Sequence, residues 1–439
     1  MSEVMANYRI TDEVGMTQSQ AVNEASKCLS CYDAPCKASC PAGVNVPKFI
    51  SKIKSTNFKG AINVIRESNM LPGVCGRVCP VEELCQKNCI RQKIDESIKI
   101  GQLQRFAADA CGLPEVCKVE KRQEKVAVIG GGPAGLACAY KLALKGVNVT
   151  IYESSKDPGG VLTYGIPPFR LSKKYVQTEI DFILKHNIKM ETGKTFGEDI
   201  HYNDLSKKFN AVFLAVGTSR AQELDIEGKD LKGVLIGQDF LAEVNQNVVN
   251  GKTPSKPGKT VCVIGGGNVA IDAATTAKFA GAEEAVIVYR RSENEMPAWK
   301  IEREAAADMG VKFRYLTAPV RIVGEKGKVT GLECIQMKLG APDASGRRKP
   351  IAIEGSNFVI DCDTVIQAVG QFACDCLTKQ VKGLDINKDG TVKVDKHGMT
   401  SVEGLFAGGD IVNGGDTVVK AVAHGKAAAE GILKFLKID

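Results

Sequence analysis

The sequence predicts an α-helical N-terminal domain followed by two Rossmann-like α/β domains, the second inserted in the first. Two observations lead to this fold class. Ten of the 16 cysteines fall in residues 1–117, where strand-like text is scarce. After a charged linker at 118–125, short apolar runs alternate with helical periods, and the unit of strand, glycine turn, helix and strand at 125–153 recurs at 260–290.

Length and composition exclude several classes of protein. The 439 residues are 44% hydrophobic and 25% charged, which allows a large core and excludes a disordered or collagen-like chain. We find no apolar run that would predict a secretory signal or a membrane span. The net charge of +7 is scattered, so no nucleic-acid arm is indicated. We therefore expect a cytoplasmic protein whose thiols stay reduced.

The loops suggest where the domains divide. The stretches 46–68 and 98–110 space apolar residues at helical intervals, so we assign residues 1–120 to the helical domain. The Pro- and Gly-containing loop at 253–259 and the loop at 340–350 mark the limits of the insertion. We expect the first nucleotide-binding domain at 121–250 and 358–439, and the inserted one at 251–357.

The first glycine turn predicts a dinucleotide site. A buried strand precedes a G-x-G-x-x-G run whose glycines allow a tight turn, close approach to a pyrophosphate and close helix packing. Glu153 ends the next strand, where a carboxylate can bind ribose hydroxyls. A glycine turn in an unrelated α/β protein is the alternative. The positions predicted to bind the cofactor here are Gly130, Gly132, Pro133, Ala134, Gly135 and Glu153.

The second glycine turn predicts a different dinucleotide. It ends in alanine, and arginines replace the acidic residue at the end of the following strand. A guanidinium binds a 2′-phosphate that a carboxylate would repel, so the pattern favours NADPH over NADH. The alternative is that both arginines are surface charges. The predicted positions are Gly265, Gly267, Asn268, Val269, Ala270, Arg290 and Arg291.

Three further segments resemble the FAD-binding parts of the two-dinucleotide-domain flavoproteins: PGGVLTYGIPPFRL, the strand at 211–219 and the segment 404–426. The resemblance implies that Asp410 binds the flavin ribityl chain and that a helix start near Thr417 and Val418 faces the flavin ring. Amides and a helix dipole stabilise negative charge on the reduced ring. The further positions predicted to bind the cofactor are Gly160, Val161, Arg170, Gly370, Gly409, Asp410, Thr417 and Val418.

The N-terminal cysteines form two quartets, C-x2-C-x4-C-x3-C-P at 28–41 and C-x3-C-P-x5-C-x3-C at 75–89. Thiolates at this spacing indicate a soft metal site. Zinc is the alternative, but zinc quartets usually come as two knuckles about fifteen residues apart. The tight, uneven spacing and the prolines favour two [4Fe-4S] clusters and about eight irons per flavin.

The cysteine block and the GQLQ motif at 101–104 resemble the N-terminal part of dihydropyrimidine dehydrogenases and, less closely, the small subunit of glutamate synthase. The resemblance extends over the whole chain. It implies that one cluster is bound by Cys28, Cys31, Cys36 and Cys89. It implies that the other is bound by Cys40, Cys79, Cys85 and Gln104.

Periodicity alone makes Gln104 an ordinary helix residue, so its place as a ligand depends on the resemblance. Cys75, Cys111 and Cys117 are then left as structural or incidental thiols, and we give Cys374 and Cys376 no function.

These parts predict an electron-input oxidoreductase. NADPH reduces FAD, and two clusters pass single electrons to a partner, with no catalytic acid, base or nucleophile required. The resemblance implies that this partner is an FMN-barrel dihydropyrimidine subunit, a glutamate synthase large subunit or a ferredoxin-like acceptor. Because the chain stops soon after the last flavin motif, we expect the acceptor on another chain. The leading interpretation is the flavin subunit of a dihydropyrimidine dehydrogenase. The alternatives are a glutamate synthase small subunit, a stand-alone NADPH:acceptor oxidoreductase, or a non-catalytic redox sensor or scaffold.

Overall fold

The computed structural model describes residues 15–113, 115–116, 119–218, 220–343, 346–372 and 380–438. Its N-terminal region is helical, as predicted. Amphipathic segments bury one apolar face each, and Phe49, Ile53 and Leu103 have no exposed surface. The helices are α1 (Gln18–Ser26), α2 (Pro35–Ala38), α3 (Val46–Lys54), α4 (Phe58–Arg66), α5 (Pro72–Val78) and α6 (Ile100–Cys111), with a 3₁₀ turn at Ile90–Lys93.

A five-stranded parallel sheet follows, with strand order β16-β4-β1-β2-β3. Its central strands are continuous apolar runs, as expected of a sheet covered on both faces. The strands are β1 (Lys125–Ile129), β2 (Asn148–Glu153), β3 (Ile188–Thr192), β4 (Ala211–Leu214) and β16 (Leu405–Ala407). The helices of this region are α7 (Pro133–Ala143), α8 (Val161–Tyr164), α9 (Lys173–Leu184), α10 (Tyr202–Lys208), α14 (Asp410–Asn413) and α15 (Val418–Phe435).

A second five-stranded parallel sheet has the order β6-β14-β7-β8-β9. Its core joins the apolar faces of the strands to helix α12 through Val263, Ile287 and Ala274. The strands are β6 (Val234–Ile236), β7 (Thr260–Ile264), β8 (Glu284–Val288), β9 (Lys312–Arg314) and β14 (Thr364–Gln367). The helices are α11 (Gly237–Val249), α12 (Asn268–Phe279) and α13 (Lys300–Asp308), with a 3₁₀ turn at Glu293–Glu295.

An antiparallel layer packs on the second sheet through Leu332 and Cys334. Strand β11 is central and pairs with the other three. The strands are β10 (Thr317–Glu325), β11 (Lys328–Pro342), β12 (Arg348–Ala352) and β13 (Phe358–Asp361). A separate two-stranded pair is formed by β5 (Arg220–Ala221) and β15 (Gln371–Phe372).

The described chain divides into two compact units. One contains Tyr164–Phe169 and Arg220–Gln371, and the other contains the N-terminal helices together with the first sheet. Strands β6 and β14 pair within the second sheet, and both lie outside the predicted range 251–357. The second sheet thus includes two strands from outside the predicted insertion. The three-domain division stays a prediction. Among the described residues, no helix combines the length and the apolar character that crossing a bilayer requires.

Candidate functional site

The first glycine turn has the geometry that its sequence predicts. Gly130 has φ +107°, a conformation that glycine adopts without strain. A Cβ on Gly135 would lie 1.9 Å from the carbonyl oxygen of Gly130, so only glycine lets helix α7 start this close to the turn. Pro133 is the first residue of α7, where its missing N–H costs nothing. The amide groups at the start of α7 are thus available to an anion.

Glu153 is buried and holds this turn. Its Oε2 accepts a hydrogen bond of 2.7 Å from the backbone N–H of Gly131, and its Oε1 accepts one of 2.8 Å from Ser155. The carboxylate therefore lies at the end of β2 beside the glycine turn, where the sequence predicts a contact with ribose.

The flavin-type segments meet at this turn. A Cβ on Gly160 would lie 3.2 Å from the Cα of Gly132, and one on Gly409 would lie 3.0 Å from the Cβ of Ala134. Three segments far apart in sequence therefore converge at the start of α7. Val161 begins helix α8 and is exposed, whereas Arg170 is half-buried.

Two helices, α14 and α15, begin in the C-terminal segment that lies beside the start of α7. Asp410 begins α14, and burial raises the pKa of its carboxyl group. The side chain of Thr417 caps α15 by accepting from the N–H of Lys420, which leaves Val418 as the first residue of that helix. No sequence motif indicates a role for His424, whose Nδ1 accepts a hydrogen bond of 3.1 Å from the N–H of Gly409. This bond fixes the Gly409 turn, and burial lowers the pKa of His424 and favours the neutral ring.

The second glycine turn is built like the first. Gly265 has φ +150°, and a Cβ there would lie 2.2 Å from the carbonyl oxygen of Ala368. Helix α12 starts at Asn268, whose Oδ1 accepts from the N–H of Trp299. Ala270 is buried where the third glycine of the motif would stand. The remaining predicted positions lie around the turn, with Gly267 and Val269 half-buried and Gly370 exposed at φ +125°.

The two arginines after β8 are not equivalent. Arg290 is exposed, as a residue that binds a phosphate from solvent should be. Arg291 is only 5% exposed, and its guanidinium donates to Asp343 at 2.6 Å and to the carbonyl oxygen of Arg348 at 2.8 Å. Arg291 therefore ties the β11–β12 arm to the second sheet, and Arg290 is the better placed of the two for a 2′-phosphate.

The first four cysteines predicted to bind a cluster come together. Burial raises the pKa of Cys28, and the nearby thiols of Cys89 and Cys31 raise it further. Burial also raises the pKa of Cys36 to about 11, with Cys89 and Cys28 as its neighbours. Residues from the first and second quartets thus form one group, as the resemblance implies.

The second group lines a small cavity. Its walls include Cys40, Cys79, Cys85 and Gln104, the predicted ligands, and also Cys75. Cys79 is hydrogen-bonded to Cys75, and this contact together with burial raises its pKa well above the ordinary range. The resemblance gives Cys75 no role, and sequence spacing alone does not indicate that Cys75 lines this cavity.

The donor set fits an iron–sulfur cluster. Burial and, to a smaller extent, the charges of neighbouring thiols raise the pKa of Cys85 to about 12. Without a bound metal, this thiol therefore keeps its proton at neutral pH. Ferric and ferrous iron between them would supply the compensating positive charge. Among the described residues, no three His, Cys, Asp or Glu side chains are grouped as one metal ion requires.

The wall of the cavity lined by the second cysteine group also includes Val419, the second residue of α15. The helix start that the resemblance assigns to the flavin ring therefore borders the second cysteine group. A hydrogen bond of the Lys426 ammonium group to the carbonyl oxygen of Ala42 fastens the same helix to the N-terminal region. No motif in the sequence indicates these contacts, because their partners are more than 300 residues apart.

Two family profiles match the chain. Residues 6–113 match the dihydropyrimidine dehydrogenase domain II, 4Fe-4S cluster family. Residues 124–425 match the pyridine nucleotide-disulphide oxidoreductase family, and this match covers more than half of the chain.

Several curated proteins are similar along most of this chain. The NADPH-Fe(3+) oxidoreductase subunit beta of Geobacter sulfurreducens is 41% identical over 92% of the chain, which spans 64% of that subunit. The glutamate synthase [NADPH] small chain of Escherichia coli is 34% identical over 96% of the chain and 93% of its own length.

A solved structure shows the same fold. FprA from Mycobacterium tuberculosis aligns with a TM-score of 0.63 at 20% identity, over 72% of this chain and 85% of its own. The sequence relatives support the glutamate synthase small-chain interpretation at least as well as the leading interpretation, a dihydropyrimidine dehydrogenase subunit.

Proposed function

The chain belongs to the pyridine nucleotide-disulphide oxidoreductase family and is homologous to glutamate synthase small chains, and from that premise we propose that it is an electron-input subunit. It is an NADPH-dependent FAD and iron–sulfur oxidoreductase. The proposal adds that it holds two [4Fe-4S] clusters and that its electrons go to a partner chain.

One observation carries the proposal. The cavity of the second cysteine group is bounded by Val419, one residue beyond the predicted flavin-facing position Val418. Cys85 of this group lies near Cys36 of the first group, whose charge contributes to its raised pKa. These two contacts support an electron path that runs from the flavin to the second group and then to the first group.

The first group lies beside a partly exposed surface, and this suits an exit for electrons. Leu29 and Tyr32 flank two of its predicted ligands and are 45% and 100% exposed. Both side chains are therefore accessible to a partner protein beside the first group.

The bound groups would supply the redox chemistry, in which FAD takes two electrons from NADPH and the clusters take electrons singly. The residues of this chain position them. Glu153 binds the ribose beside the first turn, Arg290 binds the 2′-phosphate, and the amides of α15 face the flavin ring. Eight side chains, seven cysteines and Gln104, bind the two clusters.

The acceptor that we favour is a separate catalytic subunit of the glutamate synthase type or another NADPH-dependent complex. The similarity to the glutamate synthase small chain over nearly its whole length supports the first. The similarity to the beta subunit of an NADPH-Fe(3+) oxidoreductase supports the second. A pyrimidine-reducing partner is a second candidate, supported by the family match of residues 6–113.

The experiment is anaerobic NADPH oxidation by the purified chain, first with an artificial dye and then with co-purified partners. We expect rapid dye reduction with NADPH and slower reduction with NADH. The partner complex is then given 2-oxoglutarate plus glutamine, ferric iron, or uracil, which separates the three acceptors. Absence of dye reduction by a chain with a full flavin spectrum would contradict the proposal and favour a sensor or scaffold.

A further inference from the structure

Glu179 is a buried carboxylate that the proposed function does not use. It lies in the middle of α9, and 1% of its side chain is exposed. Its Oε1 accepts a hydrogen bond of 3.2 Å from the N–H of Gly73, and its Oε2 accepts one of 3.1 Å from Val74. Both donors are in the first turn of α5, which is preceded by Leu71, a residue without a side-chain acceptor. Glu179 therefore supplies the helix cap from a distant part of the chain.

Helix α5, with the residue that follows it, contributes two of the cysteines that line the cavity of the second cysteine group. Cys79 follows its last residue, and Cys75 lies within it. The carbonyl oxygen of Pro72, its first residue, accepts a hydrogen bond of 2.8 Å from the Nε2 of Gln104. With its nitrogen engaged, the Gln104 amide has its oxygen as the atom that can coordinate iron. The position of α5 therefore decides both where Cys79 lies and how Gln104 is oriented.

Two arginines act on the Glu179 carboxylate, and Tyr175 of its own helix also interacts with it. Arg66 of α4 is the nearest, with its Nη2 3.9 Å from Oε1 and its guanidinium over the Phe182 ring. Arg77 of α5 is farther away, stacks on Tyr175 and is paired with Asp109 of α6.

The neighbours of Glu179 do not fully compensate for its burial. Burial raises the pKa of Glu179 to about 7, although Arg66 and the two amides act in the opposite direction. The carboxyl group therefore keeps its proton to a higher pH than an exposed glutamate does.

We propose that Glu179 is a positioning residue for the second [4Fe-4S] site, which fixes helix α5 and, when ionised, lowers the reduction potential of the cluster bound there. The inference rests on the proposed function, since it requires a cluster at Cys40, Cys79, Cys85 and Gln104. A negative charge in a dry interior disfavours the addition of an electron nearby. Glu179 bonds to the helix that contains Cys75 and ends next to Cys79, and none of the hydrogen bonds and ion pairs of the described residues joins it to the first cysteine group.

The sign of the pH dependence follows. As pH rises through about 7, Glu179 loses its proton and the potential of the second cluster falls. The potential of the first cluster stays nearly constant over the same range. In Glu179→Gln no charge develops, so the potential of the second cluster is higher than in the wild type above pH 7 and independent of pH.

The test is an EPR-monitored redox titration of both clusters from about pH 6 to about pH 8.5, on the full chain. Glu179→Gln is compared with Asp181→Asn, which removes an exposed carboxylate from the same helix. We expect the pH dependence in the wild type and in Asp181→Asn, and its loss in Glu179→Gln. If Glu179→Gln does not fold, Glu179→Asp is measured instead because it retains a titrating carboxylate. The pH dependence of the wild-type potential then decides whether the inference stands.

Two results would overturn the inference: a wild-type second cluster whose potential does not vary with pH, or a Glu179→Gln curve that matches the wild type. Iron analysis comes first, because a chain that binds one cluster or none contradicts the proposed function instead.

Discussion

Arg290 and Arg291 are adjacent in sequence, yet the structure gives them different surroundings. Arg290 is exposed after β8, and Arg291 is buried against Asp343. The sequence predicted both as phosphate ligands because the pattern of strand end and basic pair carries no information on burial. The distinction depends on Asp343 and Arg348, which lie 52 and 57 residues after Arg291 in the chain.

We expect Arg290→Ala to raise the KM for NADPH by roughly 10- to 100-fold, since it removes a charge-assisted hydrogen bond to the 2′-phosphate. The KM for NADH should hardly change. Steady-state dye reduction with each nucleotide measures this, and Lys300→Ala, an exposed cation on α13, is the control. Equal changes for the two nucleotides would show that Arg290 does not bind the 2′-phosphate.

Arg291→Ala should act on stability. The substitution removes the hydrogen bonds of the guanidinium to Asp343 and to the carbonyl oxygen of Arg348, and the free energy of unfolding should fall by about 1–3 kcal/mol. Thermal unfolding with and without NADPH measures it. A KM for NADPH that rises as much as in Arg290→Ala, with unchanged stability, would assign Arg291 to the phosphate instead.

Gln104 and Cys75 both line the cavity of the second cysteine group, so their roles need to be separated by experiment. If Gln104 is the ligand, Gln104→Ala leaves one cluster and about four irons per flavin, whereas Cys75→Ala keeps about eight. Gln104→Glu, which retains an oxygen donor, is the matched control and should keep both clusters. Loss of iron in Cys75→Ala with retention in Gln104→Ala would reverse the assignment.

At the level of elements, helix α5 depends on close approach to α9. A Cβ on Gly73 would lie 1.8 Å from the hydroxyl oxygen of Tyr175, and one on Gly76 would lie 2.7 Å from the backbone N of Arg105. Glycine at these positions lets α5 lie against α9 and α6 at once. The short helix is thus fixed by packing and by Glu179, with little help from its own sequence.

Gly73→Ala should displace α5 and destabilise the chain by about 1–3 kcal/mol, the usual effect of overpacking. It should also reduce occupancy of the second cluster while the first is retained. Iron content and EPR measure the clusters, and Gly15→Ala, at an exposed position with ample space, is the control. A Gly73→Ala chain with both clusters and wild-type stability would show that the α5–α9 contact is not needed.

Local patterns predicted the parts of the fold that local physics decides. Both glycine turns, the acidic residue after β2 and the apolar strands follow from residues close together in the chain. The contacts of Glu179 with Val74, of Val419 with the cysteine cavity and of His424 with Gly409 could not be predicted in this way. They join elements whose proximity arises only when the chain has folded.

At the scale of the whole molecule, the chain combines two nucleotide-type sheets with a cysteine-bearing helical region in one polypeptide. It spans about two thirds of the length of the NADPH-Fe(3+) oxidoreductase subunit beta and nearly all of the glutamate synthase small chain.

We expect the electrons to leave from the first cysteine group toward another protein. Substitution of the exposed Tyr32 by Asp should therefore slow electron transfer to the natural partner and leave dye reduction unchanged.

The central claim is that two [4Fe-4S] clusters lie in series with one FAD on this chain. Iron analysis of the anaerobically purified chain, referred to its flavin content, tests the claim most directly. We predict about eight irons per FAD. A ratio near four, or zinc in place of iron, would contradict it.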